Sequence, residues 1–144
     1  MSDAGAGMSP TSLTRSPQLG QGTWIFFTLL GVALLVLGAL FVLAPDLAER
    51  SYGVRVQQDS DVLHRIVATR EAFLGALLLV LTWLHRVREL AVVTLLSALV
   101  ALGDFVNVMG APGAGLTSAL PHLVGFVLLA AVGAKLWRAS ARLP

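Results

Sequence analysis

The chain has 144 residues, of which 56% are hydrophobic and only 12% charged, with a mean hydropathy of +0.82. Soluble domains carry about 25% charged residues, so this composition points to a membrane and away from an ordinary soluble enzyme. A net charge of +2 is too small for a nucleic-acid binder, and the absence of cysteine rules out disulfides, thiolate metal sites and thiol catalysis.

Residues 1–22 are rich in Ser, Gly and Pro. Such a segment cannot bury enough surface to offset its ordering entropy and is expected to be a disordered cytoplasmic tail. It is not expected to be a signal peptide, because the apolar run behind it is too long for an h-region. A four-span membrane domain is expected over 23–138, followed by a short basic tail at 139–144.

The first span is expected at about 24–44 and is free of charge. The loop after it, about 45–62, holds Asp46 and Glu49 at capping-box spacing, which predicts a short interfacial helix. Asp59 and Asp61 then precede the second span, where the helix dipole favours acids, a simpler reading than a metal site.

The second span, about 66–84, reaches membrane length only by including Arg70 and Glu71. Its stripe of His64, Ala68, Glu71, Gly75 and Thr82 is expected to face the bundle. Arg70 lies instead with Leu63, Ile66, Phe73 and Leu77 on a lipid-facing or peripheral stripe. From there it can bend toward Glu71 or Asp104, or snorkel to the surface. The turn at 85–89 is so short that the second and third spans must be antiparallel neighbours.

The third span, about 90–109, carries a second inward stripe of Thr94, Ser97, Ala101, Asp104 and Asn107. A Gly/Pro linker at 111–117 leads into the fourth span, about 119–137, where His122 and Gly125 share a face. In the first span Thr28, Gly31 and Gly38 do the same, as small residues do where helices approach closely in lipid. The phrase L-G-x-x-L-L occurs in spans one and two and reads as membrane vocabulary, not as an internal repeat.

Arg15, Arg86, Arg88, Lys135, Arg138 and Arg142 lie on one side of these spans, and Arg50, Arg55 and Arg65 on the other. The positive-inside rule therefore predicts N-in, C-in, which also puts Trp24, Trp83 and Trp137 together at the inner interface. Glu71, Asp104 and His122 then share the outer leaflet, about 5–8 Å below the interface at 1.5 Å rise per residue. An ionised group at that depth must pair or lose its charge. Arg70 can neutralise one carboxylate through its fork, leaving the other for His122.

Three functions fit this constellation. The leading one is a membrane protein that binds an unidentified small or lipophilic molecule through Arg70, Glu71, Asp104, Asn107 and His122. The second is a membrane enzyme, isomerase- or hydrolase-like, doing acid–base chemistry on a lipophilic substrate with Asp104, His122 and Glu71 as candidate catalytic groups. The third is a structural or accessory subunit whose cluster only clamps the helices. No phosphate loop, zinc motif, Ser–His–Asp arrangement or dinucleotide fingerprint occurs, and no metal or cofactor is expected. A haem between His64 and His122 is conceivable only because both are in the same leaflet. The expected partners are membrane lipids and a small lipophilic ligand, with no nucleic acid, and a homo-oligomer is compatible with four short spans. Nine Arg to one Lys, with abundant Ala, Leu, Val and Gly, looks like the usage of a GC-rich bacterium, and a bacterial cytoplasmic membrane is the expected location.

R-E-x-x-L-G at 70–75, a later Asp104 and P-H-x-x-G at 121–125 together resemble an uncharacterised family of small four-helix integral membrane proteins, a domain of unknown function loosely similar to DoxX-like proteins. The resemblance covers about 24–138. It implies an all-α membrane four-helix bundle with a shared polar site. In that family's pattern an acid follows the arginine, usually Asp where this chain has Glu71, a second acid lies late in the third helix, and a histidine opens the fourth. The resemblance implies no activity; DoxX-like kinship would hint at quinone-linked redox membranes, but nothing in these residues supports a redox centre.

Overall fold

A computed structural model describes residues 19–52, 61–112 and 114–141. Arg15, Arg55, Asp59 and Arg142, with most of the two expected tails, lie outside them. Five helices follow in order: α1 (Gln21–Leu43), α2 (Pro45–Tyr52), α3 (Asp61–Trp83), α4 (Val87–Gly110) and α5 (Leu116–Ser140). Four of these, all but α2, are long and apolar enough to cross a membrane. Each begins before its expected start, so the helical part of the domain already starts at Gln21.

The boundaries have local causes. Pro45 cannot extend α1, since it has no N–H to donate, but it suits the first position of α2. The Ala44 carbonyl accepts from the N–H groups of Leu47 and Ala48 and so caps α2. Glu49 does not complete the expected capping box; its Oε1 lies 2.8 Å from His64 Nε2 and ties α2 to α3. After Trp83 the chain turns through His85 at φ 52°. The N–H of Arg86 bonds to the Leu81 carbonyl and that of His85 to Thr82, which is a Schellman closure.

The four spans are not equally packed. Contacts are dense along α1–α3 and α4–α5 and sparse between α3 and α4. The short turn does make α3 and α4 sequential and antiparallel, but the bundle is two helix pairs facing each other. The α1–α3 pair closes through glycine. A Cβ built on Gly75 would stand 2.6 Å from the Gly31 carbonyl oxygen, and one on Gly38 2.8 Å from the Ala68 oxygen. The two L-G-x-x-L-L phrases therefore pack on each other at the crossing. In the other pair Gly133 receives Leu95 in the same way.

Large apolar side chains cover the outside, among them Leu29, Val36, Phe73, Leu99 and Val127. A water-soluble bundle does not expose an apolar surface all round, whereas a lipid-facing one does. Trp24, Trp83 and Trp137 gather at the end away from α2, where the Arg88 guanidinium lies 5.8 Å from the Trp137 ring centre. Phe27, Leu78, Leu90 and Leu136 form a packed cluster toward that end, and Phe41, Ala48 and Ala68 form another beneath α2.

Candidate functional site

Between these clusters the two helix pairs stand apart and leave a cleft of about 260 Å³. Leu30, Leu34 and Leu37 of α1, Leu74 and Leu78 of α3, and Leu129 of α5 supply apolar wall. Thr94 and Ser97 also face it, but their hydroxyls donate to the carbonyls of Leu90 and Val93, at 2.6 and 2.8 Å. Hydroxyls bonded back to their own helix offer little to a neighbour, so this part of the wall is effectively apolar.

Polar groups close the α2 end. Arg70 leaves its lipid-facing stripe and bends inward. Its Nε and Nη2 donate to Glu71 Oε1 at 3.1 and 2.7 Å, and its Nη1 and Nη2 reach the two Asp104 oxygens at 3.4 and 3.3 Å. One guanidinium thus serves two carboxylates. Glu71 is only 5% exposed, and the inward stripe expected for this helix is indeed buried from Ala68 through Thr82.

The centre of the network is Tyr52, the last residue of α2. Its hydroxyl accepts from Arg70 Nη2 at 2.6 Å and donates to Asp104 Oδ2 at 2.5 Å. Its carbonyl accepts from His122 Nε2 at 2.8 Å, and the two rings stack edge to face at 4.6 Å. Tyr52 was not a candidate from the sequence. The available signal was its being the single tyrosine of the chain, in a short amphipathic segment beside a membrane end that holds three ionisable groups.

Four of the five expected site residues, Arg70, Glu71, Asp104 and His122, converge here. The direct bond expected between Asp104 and His122 is not formed, since Tyr52 takes a partner from each. Asn107 does not join them: it is exposed and does not line the cleft. Its stripe advances by three residues at several steps, and each such step falls about 60° short of a full turn. By Asn107 the stripe has rotated off the inward face. The cluster is also deeper than expected. The longer helices put Glu71, Asp104 and His122 about 9–14 Å from the helix ends, and α2 sits over them.

Burial and the hydrogen bond to the Asp104 carboxylate raise the Tyr52 phenol well above its ordinary value, while the nearby Arg70 charge works the other way. A folded-state value above the unfolded one of about 10 contributes stability below that pH and loses it as pH climbs further. With one tyrosine in the chain, phenolate absorbance at 295 nm reads this residue alone. The folded protein in detergent is expected to show little phenolate at about pH 10, where the unfolded chain is half ionised. Equal titration of folded and unfolded samples would place the hydroxyl in water and dissolve the network.

Four apolar spans around a buried ionic cluster define a multi-pass membrane protein. The chain belongs to the family described as domain of unknown function DUF4267, whose model matches residues 31–136. No curated protein and no solved structure matches it.

Proposed function

We propose that this protein binds a small lipophilic molecule, whose apolar part lies between the two helix pairs and whose head meets the Tyr52–Arg70–Glu71–Asp104–His122 network. The observation that carries this reading is the cleft itself: leucine walls with convergent polar groups at one end are the usual design of a small-molecule site. At about 260 Å³ it lies just under the common ~300–1,000 Å³ range, so the molecule is small. The Lys/Arg asymmetry and the grouped tryptophans support N-in, C-in insertion in a bacterial cytoplasmic membrane, with the site toward the outer leaflet. Reporter fusions at both termini should then read cytoplasmic, and a periplasmic signal would turn the site to the inner leaflet. An acid–base reaction finds less support, because the expected Asp104–His122 contact is replaced by two separate bonds to Tyr52.

Native mass spectrometry of gently extracted protein should reveal a retained small molecule. Ala101 lines the cleft, so Ala101→Phe fills it and should abolish retention with helicity unchanged. An empty parent, together with a variant that melts higher because a void was filled, would leave the network as a clamp and end the binding reading.

A further inference from the structure

We propose that the head group taken by the cleft is a cation, a small amine on a short apolar chain. This rests on the binding reading above and specifies its ligand class.

The argument is one of charge and of unused hydrogen-bonding capacity. Glu71 and Asp104 together carry two negative charges, and Arg70 is the one cation bonded to them among the described residues. With His122 neutral the cluster is short of one positive charge. At membrane depth an uncompensated charge costs several kcal/mol, so the site recruits either a proton or a cation.

Most of the donors are already committed, and of the five N–H groups of Arg70 one, on Nη1, keeps no acceptor among the described residues. Arg70 spends Nε, Nη1 and Nη2 on the two carboxylates and on Tyr52. The Tyr52 hydroxyl proton goes to Asp104, and His122 Nε2 donates to the Tyr52 carbonyl. An acceptor remains. Both bonds from Arg70 to Glu71 end on Oε1. Oε2 takes no bond among the described residues and keeps some accessible surface, and the Glu71 side chain lines the cleft. A head group entering along the leucine wall therefore meets a carboxylate oxygen that needs a donor. An ammonium supplies both the donor and the missing charge. An alcohol supplies only the donor, and a carboxylate supplies neither and raises the excess to two. The volume admits roughly nine groups of water's size, which fits an amine of modest length.

The test uses three probes of equal chain length, octylammonium, octanol and octanoate, added to the full-length protein in an uncharged detergent. Retention is read by native mass spectrometry and affinity by thermal-shift titration. Octylammonium is expected to bind at 1:1 and about tenfold or more tighter than octanol, the factor for a hydrogen bond to a charged group, and octanoate not at all. Glu71→Gln and, independently, Asp104→Asn each remove the excess charge with nearly the same shape, and each should erase the preference. Having both keeps the test valid if one fails to fold. Equal binding of octylammonium and octanol, a preference for octanoate, or a preference that survives both substitutions would overturn the cationic head group while leaving the cleft a binding site. Retention of none of the three would remove the binding reading as well.

Discussion

Arg70→Met is expected to lower the melting temperature of the detergent-solubilised protein more than any other single change at the polar cluster. The methionine keeps an unbranched apolar stem but leaves Glu71 and Asp104 facing each other without their shared cation. Breaking a buried pair by removing one partner costs about 3–5 kcal/mol. Because 37% of the Arg70 side chain is exposed, about 2–4 kcal/mol is the reasonable range here. Glu71→Leu should cost less than Arg70→Met, since Arg70 keeps Asp104 and the Tyr52 hydroxyl. The triple change Arg70→Met, Glu71→Leu, Asp104→Leu should recover much of the loss, because well-packed apolar residues often replace a buried ionic group without penalty. Circular-dichroism melts of the four proteins decide it. If Arg70→Met melts with the parent, the carboxylates are hydrated and the network does not hold the bundle.

Gly75→Val is the second large effect, and it acts through the backbone. Its Cβ would meet the Gly31 carbonyl oxygen at 2.6 Å and the Leu35 nitrogen at 3.0 Å. Backbone atoms cannot rotate away as a side chain can, so α1 and α3 must separate. Overpacking of this kind costs about 1–3 kcal/mol and sometimes more, and the upper end applies when two helices are forced apart along their length. Gly103→Val is the matched control, because nothing lies within 4 Å of a Cβ at that position of α4. It should melt close to the parent, since a mid-span glycine on an open face costs little to replace. Equal losses for the two variants would mean that intrinsic helix preference, not the α1–α3 crossing, explains the effect.

The α1–α3 crossing is not legible in either segment alone. Leu30-Gly31 and Leu74-Gly75 each begin an L-G-x-x-L-L phrase, and the two phrases are alike because each serves the same contact from opposite sides. Within one helix the glycine only marks a face where something can approach. The identity of the partner depends on how two backbones fit, which is not a property of either segment. The same holds for the sparse α3–α4 contact. A short turn dictates that two helices are consecutive and antiparallel, yet the closest packing goes to α1–α3, where glycines face each other, and to α4–α5, where Gly133 receives Leu95.

What the sequence determined by itself was whatever depends on local transfer from water to lipid. The four spans, the short helix after the first, the buried stripe through Glu71 and the common end shared by Glu71, Asp104 and His122 all follow from hydropathy and helical period. The pairing of helices, the cleft between the pairs, the outward position of Asn107 and the place of Tyr52 were decided only by the tertiary structure. Tyr52 stands 18 residues from Arg70, 52 from Asp104 and 70 from His122. Its role comes from α2 folding back over the bundle, because the three groups it joins lack enough hydrogen-bond partners among themselves, and in lipid there is no water to supply the rest.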